Sequence, residues 1–249
     1  MRLGALLTFT KGDNPNDIVE QARRYEGEGY ASIWAAHAMG RGLMLTDPFV
    51  ALAAVAAVTE KVEIGTAILQ LPLYNPTDIA LKALSLQQLA GGRLVLGVGA
   101  GSTESDYIIH NVPFTDRFKL FEEKVDKINE IFRTGCVGEH GLSPWPSIRK
   151  GVPLFFGTWG KNVPRAALDF NGWIASGMHR TPEQCAAALD RYRQSNGQRA
   201  IVSTIQVNGD TDLGELAERL AGYRESGFDD AVVILQSGAP DPAVVRKLV

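Results

Sequence analysis

The sequence predicts a closed (β/α)8 barrel, and three observations carry that prediction. Strand-type and helix-type stretches alternate along the whole chain, eight of each. Unbroken alternation builds a parallel sheet with helices outside it, and eight units close a barrel. The run Leu94-Val95-Leu96-Gly97-Val98 has no polar residue, as a strand covered on both faces would, and it passes into Gly99 and Gly101. The length of 249 residues suits one such barrel, so residues 1–249 are expected to form a single domain. An open doubly wound sheet is the alternative.

Each element has a local reason. Residues 2–9 read as the first strand. Asn14-Pro15-Asn16-Asp17 starts a helix with Ile18, Val19, Ala22 and Tyr25 at helical spacing, ended by Gly27 and Gly29. Residues 31–36 form strand two. Asp47-Pro48 is an N-cap followed by a proline at the first helical position, and the helix runs to Val58. Residues 62–69, rich in β-branched side chains, form strand three. Asn75-Pro76 opens the next helix, which Gly91-Gly92 ends, and strand four follows. Residues 99–115 show no periodicity and read as a long connection. Phe118, Phe121, Val125, Ile128 and Phe132 mark one face of a helix over 116–134. Residues 135–151 read as a second loop, 153–156 as strand five, 161–170 as a helix and 173–175 as strand six. Thr181-Pro182-Glu183-Gln184 is a capping box. Residues 200–207 are strand seven, Asp212 and Glu215 cap a helix to about Ser226, 231–235 are strand eight, and 240–249 a last helix.

Composition narrows the function. The chain is 45% hydrophobic and 21% charged with a net charge of −3, and no basic block marks a nucleic-acid or anionic-membrane partner. No apolar run approaches the ~20 residues of a membrane span. Met1 to Leu7 is too short for a signal sequence and reads as strand one. Cys136 and Cys185 show neither metal spacing nor a disulfide framework, which fits a reducing cytoplasm.

Chemistry in such a barrel belongs at the C-terminal ends of the strands. That places Thr8, His37, Ala67 to Gln70, Gly99 to Asp106, Gly157 to Asn162, Ser176 to His179 and Gln206 around one mouth. His37, His110, His140 and His179 have no companion at metal-ligand spacing, so no metal site is expected. No nucleophile elbow appears, which suits chemistry supplied by a cofactor. Glycines at the end of strand four allow left-handed backbone and close ligand approach. Gly157-Thr158-Trp159-Gly160-Lys161-Asn162 offers backbone N–H groups and side-chain donors at a helix start, a setting for phosphate; an ordinary turn is the other reading. GVGAGS fits the dinucleotide fingerprint only partly, because its glycines fall at alternate positions.

The stretches GRLVLGVGAGSTESDY, VEIGTAILQLPLYNPTDIALKALSLQQLAGGRL and FFGTWGKNVPRAALDFNGWIASG resemble the luciferase-like monooxygenase family in order and spacing. The resemblance covers most of Thr46 to Gly177, with residues 1–34 a looser match. It implies a TIM barrel and a flavin-type cofactor, with coenzyme F420 favoured and FMN as the alternative. Small organic substrates, a homodimer using the helix at 116–134, and cofactor binding by Ala67, Ile68, Gly99, Ala100 and Gly101 go with it. So does a cofactor phosphate held by Gly157, Thr158, Gly160, Lys161 and Asn162, and a cis Ala67–Ile68 peptide forming a bulge behind the central ring. F420 would imply hydride transfer without oxygen chemistry, and FMN a monooxygenase. The family's acid–histidine pair falls on His37 and Ala38 here, leaving one polar group where two are usual. His37 and Glu104 are the catalytic candidates this leaves. Loss of the pair also admits an idle cofactor-binding or subunit-like protein.

Overall fold

The computed structural model describes residues 1–7, 17–39, 42, 44–178 and 180–249. Its frame is a ring of parallel strands: β1 (Arg2–Leu6), β2 (Ser32–Ala35), β3 (Glu63–Thr66), β4 (Leu94–Gly99), β5 (Leu154–Gly157), β6 (Gly172–Ser176), β7 (Ala200–Val207) and β8 (Asp230–Leu235). Each pairs with the next, and β8 returns to β1 with Arg2 opposite Asp230 and Leu6 opposite Ile234. The sheet has no free edge in this arrangement, which is the (β/α)8 barrel that the alternation predicts.

The helices are α1 (Asp17–Gly27), α2 (Pro48–Val58), α3 (Pro76–Leu89), α4 (Glu104–Ile109), α5 (Arg117–Thr134), α6 (Val163–Asp169), α7 (Pro182–Gln194), α8 (Leu213–Glu225) and α9 (Pro242–Arg246). Their starts follow the local chemistry. Asp47 accepts from the Phe49 and Val50 N–H groups, Asn75 from Thr77, and Asp212 from Glu215. Thr181 and Gln184 form both halves of the capping box. Such caps satisfy N–H groups that the helix cannot, each stabilising by about 1 kcal/mol.

Strand alternation sorts the core into two layers. Leu6, Trp34, Ala67, Val95, Phe155, Ile174, Ile201 and Val232 fill the barrel interior. Ala5, Ile33, Ile64, Leu96, Phe156, Trp173, Val202 and Val233 face the helices. Each large apolar side chain buried this way stabilises the fold by roughly 1.5–3 kcal/mol. At the N-terminal end the barrel is closed by charge. Asp230, whose side chain is fully buried, pairs with Arg2 at 2.6 Å and Arg199 at 2.8 Å, and Arg199 also forks onto Glu63 at 2.6 and 2.9 Å. Burial disfavours the Arg199 charge, but the hydrogen bonds it donates to Glu63 and Asp230 outweigh that and hold the guanidinium protonated.

Several boundaries differ from the sequence reading. Strand three is not continuous over 62–69: β3 stops at Thr66, the Ala67–Ile68 peptide is cis, and Leu69–Gln70 then pairs with Val98 and Gly99. The connection 99–115 is not structureless, since it holds α4 and a 3-10 turn at Phe114–Asp116. The loop 135–151 contains a small hairpin of Cys136–Val137 against His140–Gly141. A 3-10 turn at Gly160–Asn162 precedes α6, and the last helix is only Pro242–Arg246. On α5 the buried face is Phe121, Val125, Ile128 and Ile131, whereas Phe118 is exposed with the Arg117 guanidinium 4.3 Å from its ring. The first strand ends at Leu6, and the readings for 8–9 and 14–16 lie outside the described residues. Among the described residues no helix is long and apolar enough to cross a membrane.

One surface carboxylate organises the entry to β3. Glu26 on α1 accepts backbone N–H groups of Glu60 at 3.0 Å, Lys61 at 2.8 Å and Val62 at 3.1 Å. Burial pushes its pKa up, but those three bonds and the Arg93 charge outweigh burial and hold it below its ordinary 4.5. A depressed folded pKa gives stability that is present above the unfolded pKa and lost as pH falls through the folded one. Glu26→Gln should therefore cost about 1 kcal/mol near neutrality. In urea titrations that difference should shrink below pH 4.5; a gap constant with pH would show that the carboxylate charge is not involved.

Candidate functional site

The C-terminal mouth is built on glycines, though most of them serve the protein's own packing. A Cβ on Gly97 would lie 2.0 Å from the Thr66 carbonyl oxygen, so that glycine lets β4 pass close to β3. A Cβ on Gly99 would meet the Ile68 side chain at 2.8 Å, and one on Gly157 would meet it at 2.4 Å. Ile68 thus lies across two bare backbone positions on β4 and β5. Only Gly101 of this group has left-handed backbone, at φ +75°, and it admits the Gln70 side chain rather than open space. With Ala36 and Ile234, Ile68 packs on the top of the barrel's inner core, so the floor of the mouth is largely apolar.

Beside this floor lies a buried polar group. His37, 9% exposed, has its ring Nε2 2.9 Å from the Tyr74 hydroxyl. The His110 ring lies 6.2 Å from that of His37 and 6.3 Å from that of Tyr74. Burial raises the Tyr74 phenol pKa far above its ordinary value, and the Asp47 charge adds to the shift, so the phenol keeps its proton. Fully buried Asp106 on α4 accepts from Gln70 Nε2 at 2.6 Å and from the Met39 N–H at 3.2 Å. The same Gln70 amide donates to the His37 carbonyl at 3.3 Å, while the His110 ring Nδ1 bonds the Asp106 carbonyl at 2.8 Å. His37 is therefore fixed on the side of the mouth formed by the segments after β3 and β4.

Glu104 is placed differently. It is exposed in the first turn of α4 and lines an open cleft with Tyr107, Asn111 and Phe114. Ala100, 8% exposed, has its carbonyl taken by the Tyr107 hydroxyl, whose pKa burial pushes up to about 12. Asp106, two residues on from Glu104, carries the buried carboxylate. Sequence reasoning placed Gln70 and Asp106 at the mouth but missed Tyr74 and the bonds that join these groups to His37. The available signal was a hydroxyl and an amide within a few residues of the strand-three break.

The opposite side of the mouth carries the loop Gly157 to Asn162. Thr158, Gly160 and Asn162 are partly exposed and Lys161 is exposed. Gly160, at φ +67°, has nothing within 4 Å of where a Cβ would be, so space is open there. Trp173 Nε1 donates to the Thr158 carbonyl at 3.0 Å, fixing the loop's start. The Arg180 guanidinium sits 3.9 Å above the Trp159 ring. Ser176 ends β6, Thr204 lies within β7 where its register shifts, and Gln206 further along β7 is exposed. Thr8 and His179 lie outside the described residues. Among the described residues, no group of three or more His, Cys, Asp or Glu could hold a metal ion.

Known proteins with this architecture are numerous. A model of the family described as luciferase-like monooxygenase matches residues 1–208. A Mycobacterium tuberculosis protein provisionally named as a coenzyme F420-dependent oxidoreductase is 27% identical over 235 residues. The match covers 83% of this chain and 66% of that one, so the chain spans just under two thirds of the relative's length. Among solved structures, an F420-dependent secondary alcohol dehydrogenase in complex with an F420–acetone adduct superposes with a TM-score of 0.83 at 15% identity. That likeness covers 100% of this chain and 98% of the other. The oxygenating constituent of 3,6-diketocamphane monooxygenase from Pseudomonas putida, in complex with FMN, gives 0.71 at 16% identity, covering 89% and 71%. At these identities the two structures show the shared fold.

Proposed function

We propose the following activity for a chain that belongs to the luciferase-like monooxygenase family: an oxidoreductase that uses coenzyme F420 for hydride transfer to or from a small organic substrate. The observation that carries this reading is the apolar ledge of Ile68 laid over Gly99 and Gly157 in the mouth. A flat apolar ledge flanked by polar groups fits a planar ring, and the floor offers no nucleophile of its own. The relative provisionally named for F420 favours the deazaflavin over FMN. When bound, such a cofactor supplies two-electron chemistry that no side chain here provides.

The chain's own residues have separable tasks in this reading. Ile68 backs the ring, with Ala67, Gly99, Ala100 and Gly101 shaping the wall beside it. Thr158, Lys161 and Asn162 donate to the cofactor phosphate, with the open backbone at Gly160 letting it approach. His37 holds or passes the proton that accompanies transfer. The Tyr74 hydroxyl, 2.9 Å from Nε2, orients the ring for that task. Glu104, exposed on α4, would meet the substrate from the rim.

Titration of the purified protein with F420 and with FMN, read by the change in ring fluorescence, tests the assignment. Preferential F420 binding supports it. Tighter FMN binding would move the chain to the monooxygenase reading, and binding without turnover on any substrate would make it an idle binder. Lys161→Ala combined with Thr158→Val should weaken cofactor binding, with the larger loss at low salt, where charge is less screened. Unchanged affinity in that double variant would remove the loop from the site.

A further inference from the structure

The hydroxyl pair Ser176–Thr204 occupies the rim between β6 and β7, across the mouth from the segments that hold His37. Ser176 falls on the inward side of β6, two residues beyond the interior residue Ile174. Thr204 reaches it because β7 is irregular there. The register against β8 shifts between Val202 and Ile205, so three steps on β7 match two on β8. Thr204 takes up the extra length at φ +59°, left-handed backbone that a β-branched residue adopts only under constraint. The bulge re-aims the Thr204 side chain onto Ser176, with their hydroxyl oxygens 2.9 Å apart.

Hydrogen accounting then fixes what the pair can read. Each hydroxyl has one proton and two lone pairs. Thr204 donates its proton to the Ser203 carbonyl at 2.6 Å. Thr204 is therefore the acceptor in its bond with Ser176, and Ser176 spends its own proton there. The neighbouring Ser203 hydroxyl donates to the Ala175 carbonyl at 3.1 Å. All three protons point into the protein. A lone pair remains on each of Ser176 and Thr204, apart from the long 3.5 Å contact of the Met178 N–H with Ser176.

We propose that the Ser176–Thr204 pair is an acceptor-only subsite that positions a ligand's hydrogen-bond donor over the apolar floor. It rests on the reading of the mouth as a flavin-type site. The donor chemistry has two sources: the imide N–H that flavin and deazaflavin rings share, or the O–H of an alcohol substrate. A ligand presenting a carbonyl at this point would be rejected, because acceptor would face acceptor.

The test measures F420 and FMN affinity by fluorescence, and KM and kcat for 2-propanol with F420, in wild type, Ser176→Ala, Thr204→Ser and Thr204→Val. If the donor is the ring imide, Ser176→Ala and Thr204→Val should weaken cofactor binding roughly 5- to 10-fold, the size of one lost hydrogen bond. FMN methylated at the imide nitrogen should then bind wild type no better than it binds Ser176→Ala. If the donor is the alcohol, cofactor affinity should hold while KM rises by a similar factor at unchanged kcat. Thr204→Ser keeps the hydroxyl and should behave as wild type in either case. Circular dichroism and melting confirm that each variant folds, and Thr204→Gly, which suits the left-handed backbone, replaces Thr204→Val if that variant does not. Folded variants with unchanged affinity and KM overturn the subsite. A wild type that binds neither F420 nor FMN overturns the functional reading, and the subsite with it.

Discussion

His37→Ala is expected to lower turnover by roughly 10²–10⁴-fold with cofactor affinity little changed, the loss that accompanies removal of a general acid or base. The expectation rests on a buried imidazole whose Nε2 is 2.9 Å from a phenol that burial keeps protonated. Tyr74→Phe separates chemistry from packing. It keeps the ring that packs against His37 and His110 but deletes the hydroxyl. If Tyr74 sets the imidazole's protonation, Tyr74→Phe should shift the pH dependence of kcat/KM while leaving the melting temperature within a few degrees. If His37 serves only to fill the space between the segments after β2, β3 and β4, His37→Ala should melt early and turn over normally once folded. That second pattern would remove His37 from the reaction.

Asp230→Ala should be the most destabilising single change at the closed end of the barrel, by about 3–5 kcal/mol in urea unfolding. The carboxylate is fully buried and is the shared partner of Arg2 and Arg199. Without it Arg199, only 23% exposed, keeps Glu63 alone against the cost of burial. Double replacement of Asp230 and Arg199 by apolar residues of similar size should recover much of the loss, since removing both charges leaves none unpaired. An Asp230→Ala variant within 1 kcal/mol of wild type would mean that water reaches this end and screens the charges. The site at the other end should keep its cofactor affinity in the folded fraction, because among the described residues the two ends share no hydrogen-bonded residue.

The legible parts of the fold were those whose causes are local. Asp47, Asn75, Thr181 and Asp212 each bond an N–H two or three residues away, so a few letters of sequence contain both partners. The break in strand three was legible only through the family resemblance; nothing in the letters GTAIL distinguishes it from a regular strand. α4 escaped notice because six residues, Glu104–Ile109, are too few for a helical period to show. Nor do the letters show how Glu104 and Asp106 differ in burial. Both sit in the first turn of one short helix, and only its packing turns one outward and buries the other.

By itself, then, the sequence determined that eight βα units alternate, where most of them begin, and which loops gather at one mouth, because propensity, capping and strand burial are written in neighbouring residues. Only the tertiary structure decided what those loops meet. Gly157 is bare because the Ile68 side chain, from the segment just after β3, crosses it. Glu63 and Arg199 are 136 residues apart in the chain and 2.6 Å apart in the barrel. Thr204 is left-handed where β7, paired regularly with β6 up to Ser203, shifts its register against β8 by one residue. Ring closure imposes such constraints from both neighbours at once, and no window of sequence contains both.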